Sequence, residues 1–491
     1  MKEKIIELKN VSFKYKGSQE GLLNNASLSV QEGETLLLCG ASGSGKTTII
    51  RLINGLIPHY YPGDLEGSVR VAGYDIEKTQ LYELAGKVGT VFQNPRSQFF
   101  SVETDGEIVF GPENVGLAPG EIEKRKQSVV QEMKIEKLLG RSLFELSGGE
   151  KQKIACASVA ALLPQIILLD EPSSNLDIRS IEDLRKTIIE WKKQGKTIIV
   201  SEHRLWYLKD IADRVLYMKN GNICHEWTGE EFAGFSEEQI EALKLRPLEI
   251  KTFGVGPAAE TGDDKDRLVL KDFFFSYHKK PYVFRKHKFS EADKDSLTLN
   301  IPHLEIPVGK VVGVLGNNGN GKSTFLRCLC GLEKDCRGVV TYEGKDYDSK
   351  ARLSLCYMVM QDVNHQLFTD SVAAEVLLSM KTEDKERCDE ILDLLGLLPY
   401  KDKHPMALSG GQKQRVAVAS ALAADAKILL FDEPTSGLDY EHMEIVGKLL
   451  KQLADRGHTV FVSTHDSELI EQCCDAIVYI ENGKARLATK S

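Results

Sequence analysis

The 491-residue chain lacks any apolar run long enough to cross a bilayer. A spanning helix needs about 20 such residues. The nearest candidate, Ile154 to Leu169, is broken at Pro164-Gln165 and stops at Asp170-Glu171, so it reads as the end of a helix followed by a buried strand. Any work at a membrane would need its spanning part from another chain. The start, Met1-Lys2-Glu3-Lys4-Ile5, carries no apolar secretion segment. There are 10 cysteines but no zinc-type C-x-x-C pair; Cys328-Leu329-Cys330 and Cys473-Cys474 are too close-set for a familiar metal or disulfide framework. They read as reduced cytosolic thiols. Positive charge is not in excess either: 63 Lys and Arg against 72 Asp and Glu leave a formal charge of −9. That argues against a nucleic-acid backbone as the main partner, though a local basic patch is compatible with it.

What is present is a phosphate loop, twice. The length calls for two or more domains. After the apolar run Thr35 to Cys39 comes Gly40-Ala41-Ser42-Gly43-Ser44-Gly45-Lys46-Thr47-Thr48, and then Ile49-Ile50-Arg51-Leu52. The order is buried strand, glycine turn, helix, in the pattern G-x-x-x-x-G-K-[S/T]. Gly40, Gly43 and Gly45 let backbone N–H groups turn inward around phosphate oxygens, with Ser42 and Thr48 beside them. Lys46 supplies a point charge for the β- and γ-phosphates, Thr47 offers a hydroxyl to Mg²⁺, and the helix start adds partial positive charge. Gly316-Asn317-Asn318-Gly319-Asn320-Gly321-Lys322-Ser323-Thr324 repeats the pattern behind a second apolar strand, Val311 to Leu315.

Further candidates follow apolar strands in order. Tyr15, in a strand-like stretch Val11 to Tyr15, lies 31 residues before Lys46, where its ring suits either purine stacking or a local core. Gln93, after Val91-Phe92, is a neutral ligand for a metal or a water. Helical periodicity runs from Glu121 to Leu139. Ser147 in Leu146-Ser147-Gly148-Gly149-Glu150 caps a helix, which is an ordinary N-cap or a second anion-binding start. Ile166 to Leu169 delivers Asp170-Glu171-Pro172. Asp170 suits Mg²⁺, and Glu171 suits a general base acting on water. Thr197 to Val200 ends at Ser201-Glu202-His203, where His203 could reach a γ-phosphate. Alternating strands and helices around a phosphate loop predict an α/β domain with a mainly parallel sheet. One site at the strands' carboxyl ends then collects Lys46, Gln93, Asp170, Glu171 and His203.

The second half repeats the first. Ser147 and Ser409, Glu171 and Glu433, and His203 and His465 are each 262 residues apart. Tyr277 matches Tyr15, Gln361 matches Gln93, Ser409-Gly410-Gly411 matches Ser147-Gly148-Gly149, and Asp432 matches Asp170. Tyr277 lies 45 residues before Lys322, so the second copy holds extra residues, placed around Lys279 to Asp295 as a surface hairpin or loop. The expected division is residues 1–228, a partly helical acidic connector 229–265, and 266–491.

These motifs resemble the ATPase cassettes of ABC transporters, over nearly the whole chain. The resemblance implies two tandem P-loop cassettes, each with a mainly parallel sheet core, an antiparallel β subdomain and a helical subdomain. It implies ATP hydrolysis with Mg²⁺. ATP would be held by Tyr15, Gly40, Ser42, Gly43, Gly45, Lys46, Thr47, Thr48 and Gln93 and, in the second copy, by Tyr277, Gly316, Asn318, Gly319, Gly321, Lys322, Ser323, Thr324 and Gln361. Mg²⁺ would be held by Thr47, Gln93 and Asp170, and by Ser323, Gln361 and Asp432. Glu171, His203, Glu433 and His465 would be catalytic. In the family's head-to-tail sandwich Ser409, Gly410 and Gly411 face the first loop, and Ser147, Gly148 and Gly149 the second. A fused chain would make this pairing alone, giving one chain per transporter.

Phe92 to Phe100 with Glu107 to Asn114, and Met360 to Phe368 with Val372 to Glu375, resemble the energy-coupling-factor importers of vitamins and metal ions. That group implies a membrane T component and a small substrate-binding S component, with the ATPase at the cytoplasmic face of the cell membrane. Gln98-Phe99-Phe100 with Glu103, Asp105 and Glu107 would then grip a basic helix of a membrane subunit, or else form a solvated acidic face. Glu150 departs from the usual glutamine, and Asn175 from the usual small residue. Two rival readings are a soluble tandem ABC ATPase on ribosomes or nucleic acid, normally with a basic connector, and a sugar importer, normally with one degenerate site.

Overall fold

The computed structural model describes residues 4–16, 22–250, 255–257, 267–277, 297–408 and 410–490. Ser409, the 279–295 insertion and most of 251–266 lie outside the described residues. Two compact units divide the chain: Met1–Ile250 with Gly437–Glu441, and Lys251–Ser436 with His442–Ser491.

In the first unit the strands are β1 (Lys4–Tyr15), β2 (Leu23–Gln31), β3 (Thr35–Gly40), β4 (Gly63–Val71), β5 (Tyr74–Asp75), β6 (Val88–Val91), β7 (Ile166–Asp170), β8 (Thr197–Ser201), β9 (Arg214–Lys219) and β10 (Asn222–Thr228). They form an antiparallel sheet ordered β2-β1-β4-β5 and a six-stranded sheet ordered β10-β9-β3-β8-β7-β6. In the larger sheet β3, β6, β7, β8 and β9 are parallel, and only β10 runs against its neighbour. Leu36 to Cys39, Ile166 to Leu169 and Ile198 to Val200 are all buried. That is the continuous apolar run of strands covered on both faces. By contrast β1 alternates buried and partly exposed residues, as a half-covered antiparallel strand does. It extends well ahead of the stretch Val11 to Tyr15 and is kept together across Asn10, whose φ of +50° absorbs a register irregularity between Leu8 and Val11.

Helices sit where the apolar period demands. Gly148–Ala161 packs Ile154, Ala155 and Ala157 into the core, and Ile178–Lys193 contributes Ile181, Leu184, Ile188 and Trp191. The helix expected over Glu121 to Leu139 runs Pro119–Met133. Lys134 ends it in the left-handed conformation, at φ +54°. Past β10, the helices Gly229–Ala233 and Glu237–Ala242 seat Phe232 and Ile240 in this same core, and the segment that follows adds Leu245 and Leu248. The front of the acidic connector therefore belongs physically to the first unit.

The second unit repeats the plan. Its strands are β11 (Val255–Pro257), β12 (Arg267–Phe275), β13 (Leu299–Pro307), β14 (Val311–Leu315), β15 (Arg337–Tyr342), β16 (Lys345–Tyr347), β17 (Cys356–Val359), β18 (Ile428–Asp432), β19 (Thr459–Ser463), β20 (Ala476–Glu481) and β21 (Lys484–Lys490). The antiparallel sheet is β13-β12-β15-β16, and the larger is β11-β21-β20-β14-β19-β18-β17. Strands β14, β17, β18, β19 and β20 are parallel. Among the described residues no helix is long and apolar enough to cross a membrane.

Candidate active sites

Each phosphate loop leaves the central strand and turns into a helix, Lys46–Ile53 in the first unit and Lys322–Cys330 in the second. Gly45 and Gly321 cap those helices at φ +104° and +97°, values that only glycine adopts without strain. Lys46 Nζ donates to the carbonyls of Gly40 and Ala41, both at 2.9 Å, which leaves one of its three N–H bonds for a phosphate oxygen. Burial lowers the Lys46 pKa, while Glu171 and Asp170 pull it back up. Lys322 Nζ donates to Gly316 O at 2.8 Å and to His465 Nε2 at 2.9 Å. The two copies thus differ: in the second, the lysine and the switch histidine touch.

Strands β7 and β18 deliver the acids. Thr47 Oγ1 donates to Asp170 Oδ1 at 3.1 Å, and Ser323 Oγ to Asp432 Oδ1 at 3.1 Å. A hydroxyl meeting a carboxylate is a hard-oxygen pair that fits Mg²⁺, which takes one or two protein oxygens and fills the rest with water and phosphate. Burial, then the neighbouring Glu171, raises the Asp170 pKa to about 6. A bound cation would reverse that cost.

Glu171 and Glu433 are both held at positive φ, +45° and +49°, a strained conformation that persists only when its surroundings enforce it. Backbone bonds do so: Glu171 N–H donates to Ser201 O at 2.8 Å, and Glu433 N–H to Ser463 O at 3.0 Å. Gln93 Nε2 donates to Glu171 Oε2 at 2.7 Å, and His203 Nε2 lies 3.2 Å from Glu171 Oε1. Burial pushes the Glu171 carboxyl up, but His203 and Lys46 outweigh it and hold it below its ordinary value. His465 Nε2 lies 3.4 Å from Glu433 Oε1. The first unit thus gathers Lys46, Thr47, Gln93, Asp170, Glu171 and His203 at the strand ends. The second gathers Lys322, Ser323, Asp432, Glu433 and His465, with Asn318 Oδ1 2.8 Å from His465 Nε2. Gln361 follows β17 as Gln93 follows β6.

The other candidates sit nearby. Tyr15 Oη is 3.3 Å from Thr48 Oγ1 and accepts from Arg51 at 3.0 Å, and the Arg51 guanidinium lies 4.0 Å from the Tyr61 ring centre. Tyr277 Oη is 3.3 Å from Thr324 Oγ1, and its ring is half-exposed and open to stacking. Ser147 caps Gly148–Ala161 through a reciprocal box: Glu150 N–H donates to Ser147 Oγ at 3.3 Å, and Ser147 N–H to Glu150 Oε2 at 2.8 Å. Gly149 admits no side chain, since a Cβ there would meet Ser180 Oγ at 2.2 Å. Gly410 and Gly411 open the matching helix, Gly410–Ala423.

The sequence reading missed Glu202, Arg204 and Tyr207, which surround the backbone of His203. The signal was available: at the 262-residue spacing they face Thr464, Asp466 and Leu469, a mismatch flanking a matched histidine. It also placed Glu107 with the docking acids. The structure corrects this: Glu107 is buried and accepts the N–H groups of Phe100 and Ser101, both at 2.9 Å. Asp105 is likewise engaged, with Lys126 at 2.7 Å and the Gly140 N–H at 2.5 Å. Of that acidic trio only Glu103 remains turned to solvent.

Known proteins match this chain across both repeats. A family model described as ABC transporter matches residues 23–174 and 299–436. A Treponema denticola chain named as an ABC transporter ATP-binding protein is 44% identical over 493 residues, 98% of this chain and 96% of that one. A similarly named Saccharolobus solfataricus chain is 30% identical over 515 residues, 99% of this chain and 94% of that one. Among solved structures, a model of ribosome-bound archaeal Pelota and ABCE1 covers 97% of this chain and 77% of the matched chain, with a TM-score of 0.65 at 23% identity. That last likeness shows a shared fold.

Proposed function

Because this chain belongs to the ABC transporter family, as two ATP-hydrolysing cassettes in one polypeptide, we propose that it powers an importer of the energy-coupling-factor type for a vitamin, a vitamin precursor or a metal ion. Its partners are a membrane T component and a small substrate-binding S component, and it works at the cytoplasmic face of the membrane. The supporting observation is an exposed apolar knuckle present in both units. Phe100 is 74% exposed, stacked on Phe110 at 4.7 Å between ring centres. Beside it Val102 O accepts the Leu143 N–H at 2.9 Å, next to exposed Phe144. In the second unit Phe368 is 73% exposed, and exposed Met406 stands in the place of Phe144. Glu375, buried, accepts the Phe368 and Thr369 N–H groups, both at 3.0 Å, as Glu107 does in the first copy. Apolar tips propped outward by buried carboxylates suit insertion into a partner's surface.

At each site the phosphate loop holds the β- and γ-phosphates through backbone N–H groups and Lys46 or Lys322. Thr47 and Asp170, or Ser323 and Asp432, would hold Mg²⁺, which neutralises developing phosphate charge. Glu171, steadied by Gln93 and His203, orients and deprotonates the attacking water, and Glu433 does the same beside His465. The helix starts at Ser147 to Gly149 and at Gly410-Gly411 contribute further N–H donors to nucleotide. The test is Phe100→Glu with Phe368→Glu. Co-purification with membrane partners and uptake should be lost while ATP binding persists. Normal co-purification of that variant, or sedimentation of the native chain with ribosomes instead of membranes, would overturn the importer reading.

A further inference from the structure

The switch loops of the two units reach the same end with opposite chemistry. In the second, β19 runs into Thr464-His465-Asp466. Thr464 Oγ1 accepts the Asp466 N–H at 3.0 Å, and the Asp466 carboxylate accepts the hydroxyl of Thr435. Thr435 stands two residues beyond Glu433, so this carboxylate ties the histidine's loop to the loop carrying the strained glutamate.

In the first unit the positions 262 residues earlier hold Ser173, Glu202 and Arg204. The carboxylate has moved from behind the histidine to ahead of it. Glu202 is 2% exposed. Its Oε1 accepts the N–H groups of His203 at 2.7 Å and Arg204 at 3.1 Å. Its Oε2 accepts the Ser173 N–H at 3.3 Å and the Tyr207 hydroxyl at 2.8 Å. Arg204, also buried, reaches back to the same loop, donating to Ser173 O at 3.2 Å and Leu176 O at 3.1 Å. Tyr207, fully buried, faces Leu469 in the 262 register. A buried carboxylate with four donors is held rigidly, since losing any donor leaves a desolvated charge short of partners.

We propose that Glu202 is the positioning residue of the first ATP site, fixing His203 and the Glu171 loop from ahead of the histidine as Asp466 fixes His465 and the Glu433 loop from behind. Arg204 and Tyr207 complete the exchange. This rests on the reading of Glu171 and His203 as the hydrolytic pair. The residues act through the loop geometry that Glu171, at positive φ, depends on.

The exchange can be reversed in the full-length chain. Glu202→Thr alone strands the Tyr207 hydroxyl and the loop N–H groups, and should remove at least about half of kcat, with KM for ATP held within about twofold. Glu202→Thr with Arg204→Asp and Tyr207→Leu copies the second switch loop onto the first. Ser173 supplies there the hydroxyl that Thr435 supplies in the second loop. This triple variant should raise kcat from the single variant's level back to within about a fifth of native, a non-additive gain that only coupled residues give. Full kcat in Glu202→Thr overturns the proposal. So does a triple variant that folds by thermal melting but stays as slow as the single one, and so does a triple variant that fails to fold. If Lys46→Met with Lys322→Met hydrolysed ATP normally, the underlying site reading would fail instead, whatever the switch-loop variants did.

Discussion

Lys46 is 3% exposed and Lys322 is 6% exposed, and that burial determines what each is for. A buried ammonium is costly unless counter-charge meets it. Carbonyl oxygens take two of the Lys46 N–H bonds without neutralising its charge, and a bound polyphosphate would add counter-charge at both lysines. Methionine keeps the stem volume and removes the charge. Lys46→Met with Lys322→Met should therefore melt at or above the native temperature without nucleotide, while ATP binding, followed by calorimetry, and turnover are both lost. Both lysines were legible because the loop pattern surrounds them at fixed spacing. Glu107 was not, because nothing in an acidic stretch marks which carboxylate turns inward. The Phe100 and Ser101 N–H groups need an acceptor, and buried backbone donors are nearly always paired. Glu202 was hidden for the same reason: a side chain that bonds the N–H groups of the next two residues leaves no periodic trace.

Among the elements, the helix Gly148–Ala161 shows how a departure from a family pattern is accommodated. Glu150 closes the box with Ser147 and also takes Arg141, at 3.0 Å. Burial raises its carboxyl, but the Ser147 bonds and Arg141 prevail, holding it below the ordinary 4.5. A folded pKa below the unfolded one gives stabilisation that is full above about pH 4.5 and is lost as pH falls through the folded value. Glu150→Gln keeps the box and loses the ionic part. It should lower stability at pH 7 by about 0.5 kcal/mol, allowing for solvent screening, and the gap between variant and native melting temperatures should close by about pH 3. A gap that stays constant with pH would show the bond to be geometric only. The element boundaries that sequence missed share a cause. β1 continues through Asn10 because a bulge needs one left-handed residue, not a turn. The helix expected to reach Leu139 stops at Met133, where Lys134 takes the left-handed turn that closes it.

On the scale of the whole molecule, the duplication was readable from three motifs at one spacing, and the two candidate constellations follow it closely. They are not identical: the second lysine touches its histidine and the first does not. Both glutamates nonetheless share the same strained backbone and the same bond to a strand-end serine carbonyl. Two sites built alike at the reacting group should both hydrolyse ATP, though at unequal rates. Removing a general base costs about 10²–10⁴-fold at its own site. Glu→Gln is nearly isosteric, so nucleotide should still bind. Glu171→Gln and Glu433→Gln should each leave at most part of the native ATPase rate, and the double variant should retain ATP without turning it over. Measuring ATPase rate and retained nucleotide in all three decides the matter. One silent single variant beside one dead one would mean a single catalytic site. Complete loss in both singles would mean two sites that fire only together, which would tie the rates of the two constellations despite their different wiring.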